Sequence, residues 1–327
     1  MEHIILYAIV PILTVMLLGY YAGKTGAFTG ENARVLNKLV LNYALPAALF
    51  VSIIKANREM LSVDVKLTLI SFVVLLACFF LVYFVFRYLY KDSMADSAIS
   101  ALISGSPTIG FLGFAVLQPI FGDSASVGLV IAIVAIEVNA FGIPIGLALL
   151  NAGNARQNAA ADGGKKANPW LPVLNAIKEP VAWAPILAVI LVLCGLKWPS
   201  YLDPSFDLIK GANASVAVFA AGITLSSVKI KINGQALMGS FLKLIIMPLA
   251  ILVVGVIFKM EPVNLKMLVV CAALPPAFSG IIIASRYNTY VATGTSSLAL
   301  STILFMGFCP LWIWLTDLCV GWFHLAA

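Results

Sequence analysis

The chain alternates between long apolar stretches and short polar ones. Ten apolar segments can be counted, at about 4–21, 34–53, 66–90, 95–118, 126–150, 180–196, 208–228, 236–258, 264–286 and 292–318. Most approach the roughly 20 residues that a helix rising about 1.5 Å per residue needs to cross a hydrocarbon layer about 30 Å thick. The apolar residues come in blocks and do not mark single stripes, so the pattern predicts an all-α membrane protein. The longest polar connection, 151–179, leaves five segments on each side. The expected organisation is therefore a first five-helix repeat over 1–150, a loop over 151–179 and a second five-helix repeat over 180–327.

Composition agrees with a membrane chain. Of 327 residues 62% are hydrophobic and 10% charged, against about 25% charged in ordinary soluble domains. The net charge of +6 does not point to nucleic acid, because the Lys and Arg sit mostly between apolar segments and form no dense run interleaved with aromatics. They carry topology instead. The odd-numbered loops hold eleven Lys and Arg and the even-numbered loops seven. The positive-inside bias then places the odd loops, the middle one included, in the cytoplasm and both termini on the outer side. No basic leader or small-residue cleavage site precedes the first segment, which is expected to stay as a helix. The five cysteines lie in apolar segments without a CxxC spacing, and the two histidines are terminal. Neither a metal site nor a disulfide framework is expected, and no cofactor.

Two segments share an oddity. The fourth is interrupted by Ser104-Gly105-Ser106-Pro107-Thr108-Ile109-Gly110, the ninth by Ala273-Leu274-Pro275-Pro276-Ala277-Phe278-Ser279-Gly280. Pro107 and Pro275 stand 168 residues apart, about half the chain. Proline and glycine often only kink a membrane helix. Two breaks at corresponding places in two halves are, however, the pattern that marks a transport site. Because five helices return the chain to the opposite side, related halves would form an inverted repeat. A helix restarting after Pro107, and another after Pro276, would each turn free N–H groups and a positive dipole end toward the break. If the breaks cross, those ends converge and form an anion site that needs no buried Lys or Arg. Ser106, Thr108 and Ser279 would add hydroxyls, and the site is expected between Pro107–Gly110 and Pro275–Gly280. The carbonyl ends of the preceding half-helices leave a cation as the other reading.

These stretches, together with Leu41-Asn42-Tyr43-Ala44-Leu45-Pro46 and Ser285-Arg286-Tyr287-Asn288, resemble the auxin efflux carrier family along essentially the whole chain. The family includes plant auxin exporters and bacterial carriers proposed for malate and malonate, and the chain resembles the bacterial type. The resemblance implies ten transmembrane helices in two inverted five-helix repeats, with helices 4 and 9 broken and crossing at the substrate site. It implies a scaffold of helices 1, 2, 6 and 7 against which the rest moves as an elevator, a homodimer, and a place in the bacterial inner membrane. Pro107 and Pro275 match the family's crossover prolines, and Asn42 and Pro46 match the second-helix motif that faces the site. Thr108 stands where many members have asparagine, and Ala115 where many have a second proline. The expected cargo is a small carboxylate such as oxalate, malonate or malate.

Two charges fall inside apolar segments, Glu137 in the fifth and Lys243 in the eighth. Intramembrane ionisable groups are costly and commonly functional. Glu137 carrying a coupling proton, a Glu137–Lys243 pair, and a Lys243 that snorkels to the interface are the three readings. Asn139 and Asn213 serve either as helix-to-helix glue or as ligand contacts. Trp170, Trp198, Trp312, Trp314 and Trp322 are expected to anchor segment ends. With no mid-membrane histidine, zinc pattern or GxxxxGK[ST] stretch, the residues offer neither an intramembrane enzyme nor direct ATP drive. An anion channel and a membrane solute sensor remain the alternatives to a carrier.

Overall fold

A computed structural model describes residues 10–54, 65–122, 124–161, 180–196, 198–227, 232–287 and 289–324. Lys55, Arg58, Lys165, Lys166, Trp170, Lys178, Lys197, Lys229, Lys231 and Asn288 lie outside them, as do the side chains of Ser285, Arg286 and Trp322.

The described chain is nearly all helix. We number the helices α1 Val10–Lys24, α2 Gly30–Ile54, α3 Val65–Leu89, α4 Met94–Ser104, α5 Ile109–Phe121, α6 Ala125–Ala161, α7 Pro180–Leu193, α8 Asp203–Ser226, α9 Gly234–Ile257, α10 Pro262–Ala273, α11 Phe278–Tyr287 and α12 Val291–His324. Five stretches are long and apolar enough to cross a membrane: Val65–Leu89, Ser126–Gln157, Ser200–Ser226, Gly234–Ile257 and Val291–Gly321. Met94–Ser104, Leu112–Phe121 and Pro262–Ala273 are shorter apolar helices. The chain is a multi-pass helical membrane protein.

Four helices contain a widened π-helical turn: Val40–Ala44 in α2, Val85–Leu89 in α3, Glu137–Gly142 in α6 and Leu242–Ile246 in α9. Such a turn holds one extra residue and rotates everything after it by about 100° relative to an unbroken helix. Three of the four carry an isolated polar side chain of an apolar segment, namely Asn42, Glu137 with Asn139, and Lys243. The fifth segment does not end at 150 as expected. Helix continues through Ala161, because its polar residues Asn151, Asn154 and Gln157 suit a helix that leaves the bilayer. Gly153 lets it lie against α4, where a Cβ would meet Ala95 N at 2.7 Å.

The helices pack in two groups. In one, α1 and α2 lie against α8, and α7 against α2. The close approach of α1 and α8 depends on Gly19 and Gly222, whose added Cβ atoms would collide with the Phe219 and Met16 carbonyl oxygens. Small residues let helix backbones approach closely where lipid offers no hydrophobic drive to association. In the other group α4 packs on α3, α6 and α11, while α10 packs on α9 and α12. The groups meet where α5 touches α8 and α2 touches α6.

The backbone repeats itself along the chain. Among the described residues, the positive-φ positions are Gly26, Lys91, Gly122, Gly195, Lys259 and Tyr290. They form three pairs, Gly26 with Gly195, Lys91 with Lys259 and Gly122 with Tyr290, each spaced by 168 or 169 residues. Ser93 caps α4 and Glu261 caps α10, again 168 residues apart, and each side chain accepts a backbone N–H three residues on.

The α1–α8 contact makes a prediction. Gly222→Leu should destabilise the protein by about 1–3 kcal/mol through overpacking. Gly307→Leu, where a Cβ would meet nothing within 4 Å, should leave it unchanged. Thermal unfolding in detergent distinguishes the two.

Candidate functional site

The site begins with the backbone. α4 ends at Ser104 and α5 starts at Ile109; α10 ends at Ala273 and α11 starts at Phe278. Each interruption frees N–H and C=O groups that hydrocarbon cannot satisfy. Proline removes part of the problem, since it has no N–H to leave unpaired. The two breaks satisfy part of the rest between them. Pro107 and Pro276 face each other as an antiparallel bridge. Thr108 N donates to the Pro275 carbonyl at 3.0 Å, and Ala277 N donates to the Ile103 carbonyl at 3.1 Å. The crossing is close because Gly280 has no side chain. A Cβ there would lie 2.9 Å from Ile103 N and from the Leu102 carbonyl carbon.

Several carbonyls at the ends of the first half-helices are already taken. In α4, Gly105 N donates to the Ala101 carbonyl at 2.8 Å, and Ile103 is occupied by Ala277. In α10, Leu274 N donates to the Val270 and Cys271 carbonyls at 3.1 and 3.2 Å. Ala272 receives the Lys243 ammonium at 2.8 Å. Lys243 is fully buried, its Nζ also touching the Met247 sulfur at 3.1 Å. It therefore does not snorkel, nor does it pair with Glu137; it sits where the dipole of α10 favours a cation.

The opening turn of α5 is uncapped. Thr108 occupies the N-cap position, but its side chain makes no capping bond. Its hydroxyl is buried without a hydrogen-bond partner. A small cavity lies beside it, lined by Leu45, Pro107, Thr108, Ile109, Gly110, Val138, Asn139, Ala277, Phe278 and Ser279. The first residues of α5 and of α11 thus border one space. A helix start carries the positive end of the dipole; in α11 the first-turn Gly280 N already donates to the Ala277 carbonyl at 3.1 Å.

A second small cavity also has Pro107 in its wall. It is lined by Phe72, Leu75, Leu76, Phe79, Gly105, Ser106, Pro107, Glu137, Val138, Phe141 and Gly142. Glu137 Oε1 lies 2.5 Å from the Ser71 hydroxyl, while Oε2 is buried without a partner. The two cavities share Pro107 and Val138.

The structure thus brings Pro107, Thr108, Gly110 and Ser279 around one space and puts Ser106 with Glu137 in the other. Pro276 bridges to Pro107, Gly280 seals the crossing, and Pro275 gives its carbonyl to Thr108 and lines a separate apolar pocket with Leu13 and Met16. Neither cavity is lined by Asn42 or Pro46; α2 contributes Leu45. Asn139 donates within its own helix, to the Ala135 carbonyl at 2.7 Å, and lines the first of the two cavities. Asn213 is buried with neither amide atom paired. Trp312 is no interface anchor: it is buried and donates to the Leu244 carbonyl, within the π turn of α9, at 2.8 Å. Trp198 packs against Phe50 and Phe206. Ser71, Leu45 and Val138 were not singled out by sequence, since nothing distinguishes one Ser, Leu or Val in an apolar segment.

The family model described as membrane transport protein matches residues 4–313. The chain belongs to this family, the auxin efflux carriers. Among relatives, the transporter is 54% identical over 310 residues to the uncharacterized transporter YfdV of Escherichia coli strain K12, covering 95% of this chain and 97% of that one. It is 23% identical over 316 residues to the uncharacterized transporter MJ1031 of Methanocaldococcus jannaschii, covering 93% and 96%. It is 24% identical over 305 residues to a protein of Rhizobium meliloti named as a proposed malonate transporter, covering 90% and 91%.

Two substitutions test the polar bookkeeping of the site. Thr108→Val keeps the shape and removes an unpaired hydroxyl, so thermal stability in detergent should be unchanged or raised by up to about 1 kcal/mol. Trp312→Phe leaves the Leu244 carbonyl without its indole donor and should cost about 1–2 kcal/mol.

Proposed function

We propose that the transporter is a secondary carrier of small organic anions, with oxalate, malonate and malate as the leading cargoes. The anion would occupy the cavity between Pro107–Gly110 and Ala277–Ser279. One observation carries this reading: beside the cavity the opening turn of α5 has no side-chain cap and the hydroxyl of its N-cap residue, Thr108, is buried without a partner, while at the end of α10 the Ala272 carbonyl is already taken by Lys243. An anion there would meet the positive dipole end of α5 and the unpaired Thr108 hydroxyl, with no carboxylate among the lining residues to repel it. The relative named for malonate is in keeping with a dicarboxylate.

Transport would proceed by an elevator movement. The group of α1, α2, α7 and α8 would serve as scaffold, and the group holding the crossing would carry the anion past it. The separate packing of the two groups supports this division. In this reading the helices make ten transmembrane passes, with α4–α5 and α10–α11 each counted as one broken pass, in two inverted five-helix repeats. The paired positive-φ residues and the antiparallel bridge at the crossing support the repeat. A homodimer in a bacterial inner membrane, with both termini periplasmic, completes the proposal.

Uptake into proteoliposomes tests it. The carrier reading predicts saturable uptake of at least one labelled dicarboxylate among oxalate, malonate and malate, accelerated by unlabelled anion on the far side. Uptake that never saturates would favour an anion channel, and a folded, inserted protein that moves none of the three would overturn the reading. Lys243→Met sharpens the test. Replacing a buried charge with an apolar side chain of similar length should leave stability equal or higher. It should also uncover the carbonyl end of α10 near the anion, weakening apparent affinity by roughly fivefold or more. Thr108→Val should lower uptake without loss of stability.

A further inference from the structure

Glu137 has no part in the anion cavity, and its surroundings do not explain it as a structural residue. It is buried in the apolar cavity walled by Phe72, Phe79 and Phe141, and its Oε2 meets no donor. A carboxylate left so exposed to a low dielectric is strongly disfavoured unless paired. Among the described residues no salt bridge reaches it, because Lys243 is held by the Ala272 carbonyl. The Ser71 hydroxyl approaches both Glu137 Oε1, at 2.5 Å, and the Thr68 carbonyl, at 3.1 Å. One hydroxyl proton cannot serve both acceptors fully. If Glu137 is protonated, its O–H donates to Ser71 Oγ and Ser71 donates to Thr68, and every proton has one acceptor.

The position of Glu137 links it to the anion cavity. Glu137, Val138 and Asn139 are consecutive residues of one π turn. Glu137 lines the second cavity, Asn139 the anion cavity, and Val138 both; Pro107 is the other shared wall. A charge on Glu137 and an anion beyond Pro107 would repel each other through protein and not through water. Protonation removes that repulsion, so proton and anion must strengthen each other's binding by the same factor.

We propose that Glu137 is the proton site of a proton–anion symport, loading one proton on its carboxyl when the neighbouring cavity takes the anion and releasing it to water on the other side. This rests on the carrier reading above. In each cycle one O–H bond forms and one breaks, and nothing is oxidised or reduced. The other titratable groups near Glu137 are few. Cys271 of α10 lies within coulombic reach of both Glu137 and Lys243, and Cys78 of α3 within reach of Lys243. The rest of α3 offers Lys66, Tyr83, Arg87 and Tyr88 toward its ends, α10 offers Lys266 in its first half, α4 offers Asp96 in its first turn, α2 offers Glu31, Arg34, Lys38 and Tyr43, and α5 and α7 have none.

The test uses the full-length protein in proteoliposomes, with the membrane potential clamped and labelled oxalate, malonate and malate as probes. Oxalate keeps both carboxylates ionised from about pH 6 to about pH 8, so its own titration does not enter. Exchange at equal pH reports the carrier; accumulation under an imposed gradient reports the coupling. For one proton per anion, an inside-alkaline gradient of one pH unit should raise accumulation up to about tenfold. Glu137→Gln, a permanently protonated mimic, should keep exchange and lose the response to the gradient. Ser71→Ala should keep both and shift the pH at which uptake is half-maximal. Wild-type exchange that ignores the gradient overturns the proposal and leaves the carrier standing, as does a Glu137→Gln protein that accumulates like wild type. If Glu137→Gln fails to insert, an unshifted pH midpoint in Ser71→Ala overturns it. Absence of exchange with all three anions overturns the carrier reading, and this one with it.

Discussion

A helix cut in the middle of a membrane leaves N–H and C=O groups that lipid cannot satisfy, and each one left bare costs several kcal/mol. The two broken helices of this protein answer that cost jointly. Thr108 N gives its proton to Pro275, Ala277 N gives its proton to Ile103, and Pro107 lies against Pro276. Neither break could remain open alone in hydrocarbon. The crossing therefore fixes the place where backbone meets backbone, and Gly280 allows the approach.

What the crossing satisfies matters less to function than what it leaves over. Carbonyls of Ala101, Ile103, Val270 and Cys271 receive neighbouring N–H groups, and that of Ala272 a fully buried lysine. The amide end of α5 is left without a side-chain cap, its N-cap hydroxyl unpaired. Burying Lys243 and leaving Thr108 unpaired both work against stability, and sites that sacrifice stability in this way are commonly functional ones. The π turns work in the same direction. The turn in α6 directs Glu137 and Asn139 to opposite sides of one wall, and the turn in α9 receives the Trp312 indole.

Much of this architecture was legible in the sequence, for identifiable reasons. Proline, glycine and serine inside otherwise apolar segments mark a break whatever surrounds them, and the spacing of Pro107 and Pro275 is mirrored in the backbone at Lys91 and Lys259. Glu137 and Lys243 also stand out, because any charge does in such a setting. Their partners do not. Ser71 and the Ala272 carbonyl are chosen by helix rotation, which depends on packing between segments far apart in the chain. In α2 the cavity is lined by Leu45, just after the π turn at Val40–Ala44, and not by Asn42 or Pro46, the positions that the family resemblance points to. Trp312 looks terminal because the apolar pattern fades near 318, whereas α12 continues to His324.

The central claim is that the converging amide ends hold a small carboxylate. Its most direct test is an experimental density map of the protein equilibrated with bromomalonate, whose bromine marks the ligand without ambiguity. The account predicts density bounded by Thr108–Gly110 and Ala277–Ser279, with a carboxylate oxygen within hydrogen-bonding distance of the Thr108 hydroxyl. Ligand density elsewhere, with that cavity empty, would contradict it.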